Sequence, residues 1–224
     1  MERTQHRHSP AVEDYAKAIY TLQERADEPV TTTALAERLG VSAASASGMV
    51  RRLGEIGLAE HEPYKGVELT EAGRAVALEV IRHHRLLELL LAELGVPWDR
   101  VHDEAEVLEH HISEEFEALI AERLDDPTHD PHGDPIPAHD LTLDEGTTVS
   151  LDQLESGQRG LFVRVSDSDP EMLRYLDDLG LKPGQKIQLI GREPFDGPLN
   201  VSFGTEQHPL GIALARAMRV EVQR

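Results

Sequence analysis

The sequence predicts a mainly α-helical fold with a small β-rich C-terminal part, and three observations carry that expectation. Apolar residues recur at three- and four-residue steps through the first half. Short alternating runs broken by Gly and Pro fill the last third, and a stretch rich in Pro, Asp and His lies between. Ser9 before Pro10 marks a helix start, with Val12, Tyr15, Ile19 and Leu22 on its apolar side and Asp14 at the edge of that stripe. "TTTALAERLG" supplies a Thr cap, a short helix and Gly40 as its stop. "VSAASASGMVRRLGEIG" restarts at Ser42 and ends at Gly57.

Two short helices joined by a Gly-containing turn form a helix-turn-helix pattern. On the second, Ala46, Val50 and Leu53 share the inward face, which leaves Ala44, Ser45, Gly48, Arg51 and Arg52 outward. Small side chains admit a groove to the helix backbone, and arginines suit phosphates. "LAEHEPYKGVELT" reads as a β-hairpin placed like the wing of a winged helix, with Lys65 at its tip. Thr70 then caps a long helix to about Leu94, a further helix covers roughly residues 99–111, and Ser113 opens another. Leu86, Leu89 and Leu90 offer an extra apolar face, fitted either to a dimer seam or to packing within one chain. "DDPTHDPHGDPIPAHD" lacks periodicity and reads as a linker. "LFVRV", "KIQLI", "LNVSF" and "RVEVQR" read as strands of a small β-barrel.

The chain of 224 residues is long enough for two or three small domains. It has no cysteine, so thiolate sites and disulfides are excluded and any metal is held by oxygen and nitrogen. No run is apolar enough to span a membrane and no signal peptide is evident, so a cytoplasmic protein is expected. A net charge of −20 argues against nucleic acid until its distribution is considered. Residues 76–145 hold nineteen Asp/Glu against four Lys/Arg, whereas residues 1–75 hold twelve against nine. Between Glu37 and Glu55 no acid occurs, while Arg38, Arg51 and Arg52 fall there, so one local surface is electropositive.

"HDEAEVLEHH" at 102–111 gathers carboxylates and imidazoles. On a helix, His102, Glu106, Glu109 and His110 share one face, and His84 and Glu88 in "HHRLLE" form another i, i+4 pair. A solvated acidic face explains one such pair. Two in consecutive helices, with Asp14 on a helix able to cover them, favour metal binding. His111 turns off the shared face, and the linker histidines His129, His132 and His139 read as solvated or locally bonded. HExxH, Gly-rich phosphate loops and a nucleophile–base pair are absent, so a metallohydrolase has no positive signature, and the protein is read as a non-enzyme without a small-molecule substrate.

Together the winged helix, "HHRLLE", "VHDEAEVLEHHIS", "DPHGDPIP" and the terminal β segment resemble the diphtheria toxin repressor family of metal-dependent transcriptional repressors, in its manganese-responsive branch. The resemblance implies a winged-helix DNA-binding domain at 1–73, a helical dimerisation and metal-binding domain at 74–140, and a linker with an SH3-like, FeoA-like domain at 141–224. It implies a homodimer on double-stranded operator DNA, contacted through Ser42, Ala44, Ser45, Gly48, Arg51, Arg52 and Lys65. It places His84, Glu88 and His102 at an ancillary metal site, and Asp14, Glu106, Glu109 and His110 at a primary one. Iron-responsive members have methionine and cysteine where this chain has Asp14 and Glu106. Hard carboxylates suit Mn²⁺, with Fe²⁺, Zn²⁺ and Co²⁺ as alternatives. Asp167 is a further candidate, because the SH3-like domain of iron-responsive members donates ligands. Lys17 departs from the pattern by standing where some two-domain manganese regulators have a ligating glutamate. A metal-independent winged-helix regulator is the other alternative.

Overall fold

The computed structural model describes residues 8–25, 29–62 and 66–223. Two compact units form. One comprises residues 1–83, 109–112 and 137–142, and the other residues 84–108, 113–136 and 143–224.

In the first unit, helix α1 (Pro10–Arg25) lays Val12, Tyr15 and Ile19 into a core with Leu35, Ala46, Val50, Leu53, Leu58 and Val67. Helix α2 (Thr32–Leu39) starts at Thr31, whose side chain accepts from the Ala34 N–H. It stops at Gly40, whose φ of 64° suits a residue without Cβ. Helix α3 (Ala43–Glu55) is capped by the Ser42 hydroxyl, which accepts from the Ser45 N–H at 3.1 Å. Strands β1 (Ala59–Glu62) and β2 (Gly66–Leu69) pair antiparallel, giving the winged helix-turn-helix. The tip of the wing, including Lys65, lies outside the described residues. Thr70 opens helix α4 (Glu71–Glu93) by donating to Gly57 O and accepting from Gly73 N–H.

In the second unit, α5 (Val101–Leu108) and α6 (Glu114–Arg123) follow the second half of α4. The expected helix over 99–111 is shorter by three residues at its end, and Glu109, His110 and His111 lie in a turn. α5 carries no basic residue in its last turn, so further acids there would face the negative end of the helix dipole. Leu86 is fully buried within the chain, which settles its role as core packing, whereas Leu94, Val107, Phe116 and Leu119 are exposed.

The C-terminal sheet has strand order β3-β8-β4-β5-β6-β7, with every described pairing antiparallel. Its strands are Val149–Ser150, Arg159–Val165, Lys186–Arg192, Leu199–Phe203, Glu206–Leu210 and Met218–Val222 for β3 to β8. Alternate residues such as Phe162, Leu189, Val201 and Val220 fill its interior. Helices α7 (Pro170–Asp178) and α8 (Ile212–Ala217) complete it. Sequence reasoning did not anticipate α7, although the Asp169–Pro170 start is a readable cap. Trp98, from the connection between α4 and α5, is buried in this same core.

The segment read as a linker has no regular structure but is firmly held. The Asp130 carboxylate accepts from the His132 and Asp134 N–H groups at 2.8 and 2.9 Å, and Val165 N–H donates to His132 O at 3.0 Å. Arg85 donates to Pro135 O, and Asp134 Oδ1 bridges Arg85 and Arg164. Gly133 adopts φ 87°, and a Cβ there would stand 1.9 Å from Val163 O. A Gly133→Ala variant is therefore strained twice over. It is expected to lose at least about 2 kcal/mol of stability, read as a fall of roughly 4–8 °C in thermal melting.

Candidate metal centres and nucleic-acid interface

Helix α4 presents His84 and Glu88 one turn apart, and α5 turns His102 toward them. Glu88 is fully buried, and its Oε1 lies 3.1 Å from His84 Nε2, 3.4 Å from His102 Nδ1 and 3.7 Å from His132 Nδ1. His102 Nδ1 also stands 3.0 Å from Asp167 Oδ2 and from His84 Nε2. Ligand atoms of His84, Glu88, His102 and Asp167 thus lie within 4.8 Å of one another, and so do those of Glu88, Asp130 and His132. His132 Nε2 donates to Trp98 O at 2.8 Å, which leaves the lone pair of the neutral ring on Nδ1.

Charge accounts for the protonation of this cluster. Burial opposes the ionised form of Glu88, but the His84 charge, with His102 and His132, holds its carboxyl well below the ordinary range. Burial likewise opposes charging His102, yet the hydrogen bond to Asp167 and then that to Glu88 raise its pKa to about 10. Burial pushes the Asp130 carboxyl up, aided by the charges of Glu88 and Asp134.

The second group of donors lies in the first unit. His110 Nε2 stands 2.9 Å from Asp14 Oδ1 and 3.5 Å from Glu109 Oε1, while His110 Nδ1 stands 2.6 Å from Glu13 Oε2. Hydrogen bonds to Asp14 and then Glu13 raise the His110 pKa to about 10. Glu109, fully buried, is held by Lys17 Nζ at 3.0 and 2.8 Å from its two oxygens.

Both groups fit a divalent cation. Their donors are carboxylate oxygens and imidazole nitrogens only, and Glu88 Oε2 and His132 Nδ1 are buried without a hydrogen-bond partner, a costly arrangement for polar atoms. The expected single helical face of His102, Glu106, Glu109 and His110 is not formed, because α5 ends at Leu108. Glu106, more exposed, lies 3.8 Å from both His84 Nδ1 and His102 Nε2 in the second unit. The reading of His132 as solvated is overturned by its complete burial against Glu88 and Trp98, whereas His129 and His139 are exposed. Asp130 and Glu13 were also missed as neighbours of these groups. Asp130 and His132 sit two apart in an aperiodic run, and only their burial reveals them.

On α3, Ser42, Ala44, Ser45, Gly48, Arg51 and Arg52 are all exposed, and a Cβ at Gly48 would meet nothing within 4 Å. The face offers small residues along the helix and guanidinium groups at its end, as a major-groove helix requires.

A winged helix with such a face, in a chain that also gathers buried carboxylates and imidazoles, defines a metal-responsive DNA-binding regulator. Comparison with known proteins makes the class specific. Residues 8–67 match the family model of the iron-dependent repressor N-terminal DNA-binding domain, residues 70–138 that of its metal-binding and dimerisation domain, and residues 149–222 the FeoA domain. The iron-dependent repressor IdeR of Mycobacterium tuberculosis is 34% identical over 223 residues, covering 93% of this chain and 96% of the relative. The diphtheria toxin repressor of Corynebacterium efficiens is 34% identical over 220 residues, covering 93% and 94%. Among solved structures, a manganese-dependent transcriptional repressor in complex with manganese superimposes with a TM-score of 0.89 at 42% identity, covering 95% of this chain and all of the other. The manganese regulator SloR gives 0.78 at 34% identity, covering 95% and 98%. The chain belongs to the diphtheria toxin repressor family and is a metal-dependent transcriptional repressor.

The metal-free protein gives a direct check on the cluster around Glu88. With a folded pKa raised from 6.5 to about 10, His102 contributes stability that is complete below pH 6.5 and is lost as pH rises through about 10. NMR titration of the imidazoles is expected to find His102 protonated at neutral pH, and Asp167→Asn to move its pKa downward.

Proposed function

We propose that this repressor responds to Mn²⁺ and, when loaded, binds double-stranded operator DNA as a homodimer to silence metal-uptake genes. In this reading residues 1–73 bind DNA, 74–140 dimerise and bind metal, and 141–224 form the linker and SH3-like domain. It works in the cytoplasm, where its DNA is. The observation that carries the choice of metal is the donor set of Asp14, Glu109 and His110, two carboxylates and an imidazole with no sulfur. Mn²⁺ stands at the weak end of the divalent affinity series, so a protein selects it with hard oxygen ligands and geometry. The manganese-dependent repressor similar to this chain supports the reading.

Asp14, Glu106, Glu109 and His110 are the proposed primary ligands, and His84, Glu88, His102 and Asp167 the ancillary ones, with Asp130 and His132 beside Glu88. A bound divalent cation supplies positive charge that offsets these carboxylates. Asp14 belongs to α1, which packs in the same core as α3, so its position is tied to that of the recognition helix. Glu13 takes the far nitrogen of His110 and thereby turns Nε2 toward Asp14 and Glu109. Ser45 and Gly48 read bases, and Arg51, Arg52 and Lys65 contact phosphates.

An iron-responsive repressor is the second reading, favoured by the 34%-identical relative named as iron-dependent. Operator binding titrated against Mn²⁺, Fe²⁺, Zn²⁺ and Co²⁺ in one buffer separates the two. Asp14→Ala is expected to keep its fold and lose at least about tenfold in metal-stimulated operator affinity. Retention of the full Mn²⁺ response would remove Asp14 from the mechanism. Arg51→Ala should weaken binding to all sequences and lower the salt slope by about 1, whereas Ser45→Ala should change sequence preference.

A further inference from the structure

Glu109 has no access to solvent, and both of its oxygens are engaged by one ammonium. Lys17 reaches it from α1, three residues after Asp14 and four after Glu13, so these three side chains lie on one helical face. The Lys17 side chain is only 17% exposed. Glu109 Oε1, held by Lys17 at 3.0 Å, is the same oxygen that stands 3.5 Å from His110 Nε2. Any cation held by Asp14, Glu109 and His110 therefore shares Glu109 with a positive charge already in place.

We propose that Lys17 is an internal competitor for Glu109, which weakens divalent-cation binding at the Asp14, Glu109 and His110 cluster and so sets the concentration at which the repressor responds. This rests on reading that cluster as a metal centre. Two physical requirements meet at Lys17. A carboxylate buried without a partner strongly destabilises a fold, so the metal-free protein needs a cation at Glu109. Like charges a few ångströms apart repel, and they do so more strongly where water is excluded, so the ammonium that meets this need also opposes a second cation. A residue that merely oriented Glu109 as a ligand would act with the opposite sign, and its loss would loosen metal binding.

The test measures Mn²⁺ binding to the full chain by the electron paramagnetic resonance signal of the free ion, with thermal melting of the metal-free and Mn²⁺-saturated forms alongside. Lys17→Met removes the charge. Lys17→Gln removes it but leaves a donor for Glu109, so a folded neutral variant is at hand. Lys17→Arg retains the charge. Both neutral variants are expected to bind Mn²⁺ about tenfold tighter or more, and Lys17→Arg to stay close to the native affinity. The metal-free melting temperature of Lys17→Met should fall and recover with saturating Mn²⁺. Adding Asp14→Ala to Lys17→Gln should abolish the gain. Unchanged or weaker binding in both neutral variants overturns the proposal. If Asp14→Ala alone leaves native Mn²⁺ binding intact, the reading of the cluster as a metal centre fails instead.

Discussion

A carboxylate withdrawn from water must be matched by positive charge, and two buried glutamates impose that condition on this protein. Glu88 meets it with imidazoles from α4, α5 and the aperiodic segment, whereas Glu109 meets it with the ammonium of Lys17. The two solutions differ in kind. Imidazoles surrender their protons and become ligands, so the Glu88 group can exchange protons for a metal with the same side chains in place. An ammonium offers no lone pair, and Lys17 can only compete.

The shape of the chain around these groups follows from where α5 stops. Had the helix continued through His111, four acidic and imidazole side chains would share one face and one environment. Because it ends at Leu108, His102 and Glu106 remain beside His84, while Glu109 and His110 join the unit that holds Asp14. One continuous sequence motif is thereby divided between two compact units. The segment after α6 completes the second group in a similar way. Asp130 folds the backbone onto its own carboxylate, and His132 is carried between Trp98 and Glu88.

Charge also reconciles an acidic chain with a DNA-binding role. The net charge of −20 is held mainly by the middle of the sequence, and the recognition helix α3 carries two exposed arginines and one acid, Glu55, at its end. Local field rather than total charge governs which surface meets a polyanion. Cation binding among the acids of the middle region acts in the same direction, because it reduces repulsion of the phosphates.

Much of the fold was legible along the chain because caps and periodicity are local signals. Thr31, Ser42, Thr70 and Ser113 each open a helix with a side-chain hydroxyl accepting from the backbone, and Gly40 ends one. The i, i+4 pair of His84 and Glu88 needed only helical geometry. The dimer-or-core ambiguity at Leu86 was not decidable from apolar spacing, since both uses require the same face. Tertiary structure alone decided the end of α5, the engagement of Glu109 by Lys17 across 92 residues, and the burial of Asp130 and His132. Each depends on groups brought together from distant parts of the chain, and neither residue spacing nor propensity encodes a contact whose partner lies on another element. The sequence by itself determined the donor chemistry, oxygen and nitrogen without sulfur; folding decided which of those donors face one another.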